Sequence, residues 1–258
     1  MEGDLALWIY AALFIVAAFA GFVDSVAGGG GLITIPALLS VGLPAHLALG
    51  TNKLQACFGS FSAMLNFARK GYISWRKIAF GVFCTFIGAS VGTLAVLATS
   101  PDFLRFLIPV LLIAIFLYTL FSPKLGANSK QAVMKEGVFY GLFGLIIGFY
   151  DGFFGPGTGS FWTFAMVALI GLEMKKAVAH TKALNFISNI VSLGVFIALG
   201  QILWILGLIM GAGQLLGGFI GSHLVMKKEV SFVRIIFLLV VAATIVKLIY
   251  DGVRSLGQ

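Results

Sequence analysis

Charged residues are scarce in this chain. Only 10% of its 258 residues are Asp, Glu, Lys or Arg, while 60% are hydrophobic. Ordinary soluble domains contain about 25% charged residues, so this chain has too little charge to form a water-soluble surface. The composition excludes an ordinary soluble enzyme or binding domain. It predicts an all-α membrane protein whose outer surface contacts lipid.

Cysteine and histidine are also sparse, with two Cys and three His in the whole chain. Cys57 and Cys84 lie inside apolar segments without a metal-like spacing, so we interpret them as packing residues. His46, His180 and His223 are scattered singly, and no HExxH motif is present. We therefore expect no metal, no cofactor and no enzymatic activity, and keep a membrane-embedded enzyme only as a remote alternative.

The net charge of +8 does not indicate a nucleic-acid partner. The Lys and Arg residues are dispersed between apolar segments and form no basic stripe. In a membrane protein such residues set the topology and attract anions. The expected partners are therefore membrane lipid and a small anion.

Long apolar stretches are abundant. A helix needs about 20 apolar residues to cross a bilayer, and we predict membrane helices over residues 5–23, 54–68, 78–98, 103–121, 138–150, 183–199, 202–225 and 235–250. Two shorter apolar runs, 32–43 and 160–172, correspond to between half a crossing and one short crossing. The chain is therefore expected to be a multi-pass protein of the inner membrane of a bacterial or archaeal cell.

The two halves of the chain repeat a common pattern. The sequence Gly-Phe-Val-Asp at 21–24 precedes a glycine cluster at 28–31, and Gly-Phe-Tyr-Asp at 148–151 precedes a second cluster at 155–159. Further Gly, Phe and Arg residues recur in the same order at a nearly constant offset, which indicates duplication. We predict a first transmembrane repeat over 1–122, a cytoplasmic linker over 123–135 and a second repeat over 136–258.

The charges in corresponding loops predict that the two repeats are inverted relative to each other. Lys and Arg are abundant around residues 69–77, whereas the corresponding loop at 199–203 has none. Two further pairs of loops have the reverse bias, and cytoplasmic loops are the positive ones. This pattern requires an odd number of crossings in each repeat, so we predict five, with both termini external. The alternative is eight crossings, with the short segments re-entrant and the repeats parallel.

Inverted repeats often bind substrate at the membrane midplane, between broken helices whose N-termini point at an anion. A glycine run at membrane depth exposes N–H groups that lipid cannot satisfy. Helices that begin just after the two glycine clusters would direct these groups and their positive dipole ends toward an anion. The alternative is that the glycines only allow close helix packing.

The glycine motifs also resemble a known family. The run Gly-Phe-Val-Asp-Ser-Val-Ala-Gly-Gly-Gly-Gly-Leu-Ile-Thr-Ile-Pro at 21–36, Gly-Thr-Asn-Lys at 50–53, Asp-Gly-Phe-Phe-Gly-Pro-Gly-Thr-Gly at 151–159 and Thr-Lys-Ala-Leu-Asn at 181–185 are similar to the TauE/SafE family of sulfite exporters. The resemblance covers the whole chain. It implies a carrier for sulfite, thiosulfate, sulfoacetate or another sulfonate, without indicating which.

Polar residues near the glycine clusters are the candidate site residues. The candidate substrate-binding residues are Gly28, Gly29, Gly30, Gly31, Thr51, Asn52, Lys53, Gln55, Gly155, Gly157, Thr158, Gly159, Thr181, Lys182 and Asn185. In this interpretation Thr51, Asn52 and Gln55 correspond to Thr181, Lys182 and Asn185 in the second repeat. Asn66, Asn189 and Gln214 are interpreted mainly as amides that form interhelical hydrogen bonds.

The charged candidates have two interpretations each. Lys53 and Lys182 either bind the anion or extend to the membrane interface. Asp24 and Asp151 would repel an anion, so they either support the glycine loops or couple transport to protons, and His180 could couple protons as well. The sequence thus predicts a secondary transporter that works by alternating access, with a passive anion channel as the alternative.

Overall fold

The computed structural model describes residues 6–121 and 132–227, and every regular element in these ranges is an α-helix. The helices are α1 (Leu7–Ala27), α2 (Gly31–Ser40), α3 (Ala45–Arg69), α4 (Trp75–Leu97), α5 (Pro101–Phe121), α6 (Glu136–Phe153), α7 (Thr158–Leu169), α8 (Met174–Ala198) and α9 (Trp204–Lys227). The predicted segment 235–250, both chain ends and most of the predicted linker lie outside the described residues.

Four of these helices, α1, α4, α8 and α9, are long and apolar enough to cross a membrane. Their outer faces carry large apolar side chains that are exposed, such as Phe83 on α4 and Ile220 on α9. In water such a surface would be unfavourable, whereas in a bilayer it contacts lipid. The prediction of an all-helical, multi-pass membrane protein is therefore confirmed for the described residues.

The helices α3 and α8 begin earlier than predicted. The apolar segments were expected to start at 54 and 183, but the helices start at Ala45 and Met174. Their N-terminal parts contain polar residues, including Lys53 and Lys182, that lie outside the predicted apolar segments. These side chains are buried and paired inside the protein, so they do not end the helix.

Both glycine clusters interrupt the helical path, as predicted. Helix α1 ends at Gly28, which has a φ of 77° and donates its N–H to the Asp24 carbonyl at 2.8 Å. After α6, Gly155 and Gly157 have φ values of 100° and 81°. Residues with a Cβ rarely adopt such values. The short helices α2 and α7 follow these two breaks.

Two pairs of helices pack through glycines and run parallel. On α9, Gly213 lies against Phe14 of α1 and Gly221 lies against Phe22, so residue numbers increase together along the interface. Helices α4 and α6 pack in the same way, through glycines on both helices. Small residues are what permit this close approach in lipid.

The long helices of the two halves also contact each other. Helix α3 runs parallel to α9, since Leu54 lies against Gly207 and Asn66 donates to Ser222. In contrast α3 is antiparallel to α8. Its early residue Gly50 lies beside Phe196, whereas its later residue Phe61 packs on Phe186.

The glycine packing makes a specific prediction about stability. A Cβ on Gly217 would lie 1.9 Å from the Ala18 carbonyl oxygen, whereas a Cβ on Gly194 would meet no atom within 4 Å. Gly217→Ala should therefore lower the melting temperature in detergent clearly. Gly194→Ala should leave it unchanged or raise it, because alanine is favoured over glycine in a helix by about 1 kcal/mol. Equal shifts for the two variants would contradict this packing.

Candidate functional site

The N-terminal ends of the two short helices are in contact. A Cβ on Gly28, just before α2, would lie 2.3 Å from the Gly159 carbonyl carbon in the first turn of α7. Gly31, the first residue of α2, lies against Pro156 in the same way, and the Ser160 hydroxyl donates to the Ala27 carbonyl. Two glycine-rich helix starts from opposite halves of the chain therefore meet inside the protein.

A helix start offers N–H groups that have no acceptor within the helix. Several of these groups have local acceptors: the Gly30 N–H donates to Asp24 Oδ1 at 3.2 Å, and the Leu32 N–H donates to the Gly29 carbonyl at 3.0 Å. In α7 the Thr158 and Ser160 N–H groups donate to the Gly155 and Gly157 carbonyls at 3.1 and 2.9 Å. Each helix N-terminus also carries the equivalent of about half a positive charge. The meeting point of α2 and α7 is therefore an electropositive place suited to an anion.

Two buried ion pairs connect the halves of the chain. Lys53 Nζ lies 2.8 Å from Asp151 Oδ1 and also donates to the Asp151 carbonyl. Lys182 Nζ lies 2.8 Å from Asp24 Oδ2 and also donates to the Asp24 carbonyl. Each lysine thus binds the aspartate that precedes the helix break of the other half.

These pairs correct the interface interpretation of the lysines. Lys53 and Lys182 are only 2% and 1% exposed, so neither side chain extends to the membrane interface. Each ammonium group is already neutralised by an aspartate, because removing an unpaired charge from water is very costly. The lysines contribute no net positive charge to the site.

The two ion pairs differ in their surroundings. The Asp151 side chain is 5% exposed and also accepts the Ser188 hydroxyl, whereas the Asp24 side chain is 23% exposed and accepts the Gly30 N–H. Asp24 therefore supports its glycine loop directly. Asp151 accepts no loop N–H among the contacts described, and is instead held by the side chains of α3 and α8.

Two equivalent hydrogen bonds, one from each half of the chain to the other, correct the alignment of the two predicted repeats. The Leu203 N–H before α9 donates to Thr51 Oγ1 at 3.0 Å, and the Ser74 N–H before α4 donates to His180 Nε2 at 3.1 Å. Thr51 therefore corresponds to His180, not to Thr181 as the sequence suggested. In the same register Lys53 corresponds to Lys182. The error of one residue arose because similar polar residues are adjacent in both segments.

The contacts of His180 indicate a structural role. It is buried, and its Nδ1 lies 3.0 Å from the Tyr140 hydroxyl. Because Nε2 accepts the Ser74 N–H, the ring proton is on Nδ1 and faces Tyr140. His180 thus accepts a backbone N–H at the start of α4, and it lies apart from the contact between α2 and α7.

A small, partly open cavity of about 30 Å³ lies beside the two helix starts. The predicted site residues that line it are Asp24, Gly28, Gly30, Gly31, Asn52, Lys53, Gln55, Asp151, Gly155, Gly157, Thr158, Gly159 and Asn185. The predicted residues outside its lining are Gly29, Thr51, His180, Thr181 and Lys182. Thr181 instead lies 3.1 Å from the Thr163 hydroxyl of α7.

Three further residues line the cavity. Ala56, Asn189 and Gln214 were not among the predicted site residues. Asn189 and Gln214 could have been identified only from the directions of α8 and α9, because a lone amide in an apolar helix is equally typical of helix packing. Asn66 does have that packing role, since it donates to Ser222 Oγ at 2.9 Å.

A chain of hydrogen bonds extends from α2 into the cavity. The Thr34 hydroxyl donates to Asn52 Oδ1 at 2.6 Å, and Gln55 Nε2 donates to the same oxygen at 2.7 Å. In contrast, Gln55 Oε1 and Asn185 Oδ1 are buried without a hydrogen-bond partner in the described part of the chain. The cavity therefore contains acceptors as well as the donors of the helix starts.

The cluster glycines also have a packing role. A Cβ on Gly30 would lie 2.8 Å from the Asp24 Cβ, and one on Gly157 would lie 2.4 Å from Ile115 Cγ2. The two interpretations of the clusters, an anion site and close packing, are therefore compatible. Substituting these glycines would disturb the fold, so polar residues of the cavity are the better probes.

Comparison with known proteins agrees with the resemblance seen in the sequence. The family model described as "Sulfite exporter TauE/SafE" matches residues 13–248. No solved structure matches the chain.

Several curated relatives are similar over almost their whole length. A "Probable membrane transporter protein" of Haemophilus influenzae is 44% identical over 96% of this chain and 97% of the relative. The "Probable membrane transporter protein YfcA" of Escherichia coli K12 is 46% identical over 93% of this chain and 89% of the relative. A Sinorhizobium protein with a similar name is 44% identical over 98% of this chain and 97% of the relative.

The buried ion pair predicts a large effect of removing one partner. Lys53→Met should lower the free energy of unfolding by about 3–5 kcal/mol, because Asp151 would remain buried without its cation. The double variant Lys53→Met/Asp151→Leu should recover most of this loss. Chemical unfolding in detergent measures both effects.

The exposed pair of Lys77 and Glu136 provides a matched control. Its N–O distance is also 2.8 Å, but its side chains are 54% and 44% exposed. Lys77→Met should therefore change stability by at most about 1 kcal/mol. A loss for Lys53→Met no larger than for Lys77→Met would contradict the role assigned to the buried pair.

Proposed function

The chain belongs to the sulfite exporter TauE/SafE family, and on this basis we propose that it is a secondary transporter for a small sulfur-containing anion. The anion binds where the N-termini of α2 and α7 meet, and it crosses the membrane by alternating access. The observation that carries this proposal is the contact between two glycine-rich helix starts beside a cavity lined by polar residues.

The charges around the cavity support an anionic substrate. The two lysines and two aspartates cancel, so the remaining positive potential comes from the two helix starts. Backbone N–H groups bind sulfur and phosphorus oxyanions without a cationic side chain. The family name indicates sulfite, while thiosulfate and small sulfonates such as sulfoacetate have the same oxygen acceptors.

The helix directions support two inverted repeats of five crossings. Helices α1 and α3 both run parallel to α9, so they cross the membrane in the same direction. This favours a crossing between them, and α2 is the helix described there. The corresponding helices α3 and α8 run in opposite directions. In the alternative with eight crossings, α1 and α3 would be antiparallel.

Alternating access is supported by the unequal ion pairs. In inverted repeats the two halves exchange conformations during transport. Here the pair of Lys53 and Asp151 is closed off, whereas Asp24 in the other pair is partly exposed. We infer that the partly exposed pair lies on the open side of the site. When the transporter opens to the other side of the membrane, the two pairs exchange environments.

Flux measurements with the purified protein in proteoliposomes test this function. Uptake of at least one of sulfite, thiosulfate and sulfoacetate should saturate, and unlabelled anion on the opposite side should accelerate exchange of labelled anion. Linear uptake without counterflow would indicate a channel. Absence of uptake for all three anions would contradict the proposal.

The inverted topology can be tested by labelling single cysteines. Ser74 and Leu199 are exposed, lie in corresponding loops and have ordinary negative φ values, unlike the adjacent glycines 71 and 200. With Cys57 and Cys84 replaced, Ser74→Cys should react with an impermeant maleimide only from the cytoplasmic face. Leu199→Cys should react only from the external face. Reaction of both from one face would contradict the inverted arrangement.

A further inference from the structure

Two unpartnered amide oxygens in the cavity restrict the kind of anion that can bind. Gln55 Oε1 and Asn185 Oδ1 belong to side chains that are 0% and 5% exposed, and both residues line the cavity. A buried acceptor without a donor destabilises a protein by about 1–3 kcal/mol. Such atoms are retained in a binding site when the ligand supplies the missing donor.

The hydrogen bonds around Gln55 occupy its amide nitrogen. Gln55 Nε2 donates to Asn52 Oδ1 at 2.7 Å, and the Thr34 hydroxyl lies 2.6 Å from the same oxygen and 3.2 Å from the Gly30 carbonyl oxygen. The Gln55 oxygen is therefore left for the cavity. Asn185 supplies a second oxygen from the other half of the chain. A fully deprotonated oxyanion, which has acceptors only, would be repelled by both oxygens.

The charge of the site leads to the same restriction. The ion pairs of Lys53 with Asp151 and of Lys182 with Asp24 cancel, and the two helix starts together provide about one positive charge. This charge matches a monoanion. A dianion would keep about one uncompensated negative charge inside a buried site, which is costly at low dielectric.

We propose that the site selects a singly charged oxyanion that carries its own hydrogen-bond donor. Hydrogen sulfite and hydroxyl-bearing sulfonates belong to this class, whereas sulfite dianion, sulfate, plain alkanesulfonates and, among the anions named above, thiosulfate and sulfoacetate do not. The anionic oxygens accept from the helix starts, and the ligand O–H donates to Gln55 or Asn185. This inference rests on the proposed function and specifies its substrate class.

A pair of stable sulfonates tests the donor requirement directly. Ethanesulfonate and 2-hydroxyethanesulfonate have the same charge and differ by one hydroxyl. In calorimetric titrations of the full-length protein in detergent, we expect the hydroxylated compound to bind about tenfold more tightly, as one hydrogen bond to a buried acceptor would give. Sulfate should bind at least about tenfold more weakly than the hydroxylated compound.

Two variants and one control assign the preference to the amide oxygens. Gln55→Met and Asn185→Leu remove one oxygen each at similar side-chain volume. At least one of them should reduce the preference for the hydroxylated compound to about one- to threefold. Asn66→Leu removes a buried amide that bonds Ser222 outside the cavity lining, and it should retain the wild-type preference.

The outcomes separate this inference from the proposed function. The donor requirement would be overturned by equal binding of the two sulfonates to the wild-type protein, or by a preference that persists in both variants. Neither result would contradict the transport of anions. Absence of binding and uptake for every oxyanion tested would overturn the transporter function itself. The comparison in wild-type protein needs no variant, so it holds even if a substitution prevents folding.

Discussion

The assembly of the two halves of the chain depends on the cost of burying charge in a membrane protein. A lysine within the bilayer requires a partner, and here each buried lysine finds one in the opposite half of the chain. Lys53 on α3 binds Asp151, which precedes the second helix break, and Lys182 on α8 binds Asp24 before the first. Because each pair joins a lysine of one half to an aspartate of the other, neither half can neutralise its own buried charges. The two halves must therefore assemble to bury them.

The exchanged pairs also position the site. They connect α3 and α8 to the ends of α6 and α1, where the chain breaks and the short helices begin. The breaks lie so close together that only glycine fits at Gly28 and Gly159. The same contacts leave helix N–H groups and the oxygens of Gln55 and Asn185 around one cavity. Because this pairing neutralises the lysines, the proposed anion site depends on dipoles and amides.

Much of this could be predicted from the sequence, because lipid imposes strong rules on composition. Scarce charge, long apolar stretches and two glycine clusters were enough to predict the membrane helices and both breaks, and the resemblance of the sequence motifs indicated the family. The partners of Lys53 and Lys182 could not be predicted, since each lies about 100 or more residues away in the chain. The correspondence of Thr51 with His180 was also missed, because chemically different side chains there accept the same kind of backbone N–H.

Binding of the anion in the cavity between the two helix starts can be tested directly. Ala56 lines this cavity and has a small side chain, so Ala56→Cys in a protein without Cys57 and Cys84 reports directly on its occupancy. The rate of alkylation by a membrane-permeant maleimide should fall as a transported sulfonate is added, with a midpoint equal to its binding constant. A rate that stays constant at sulfonate concentrations that saturate transport would contradict the location of the site.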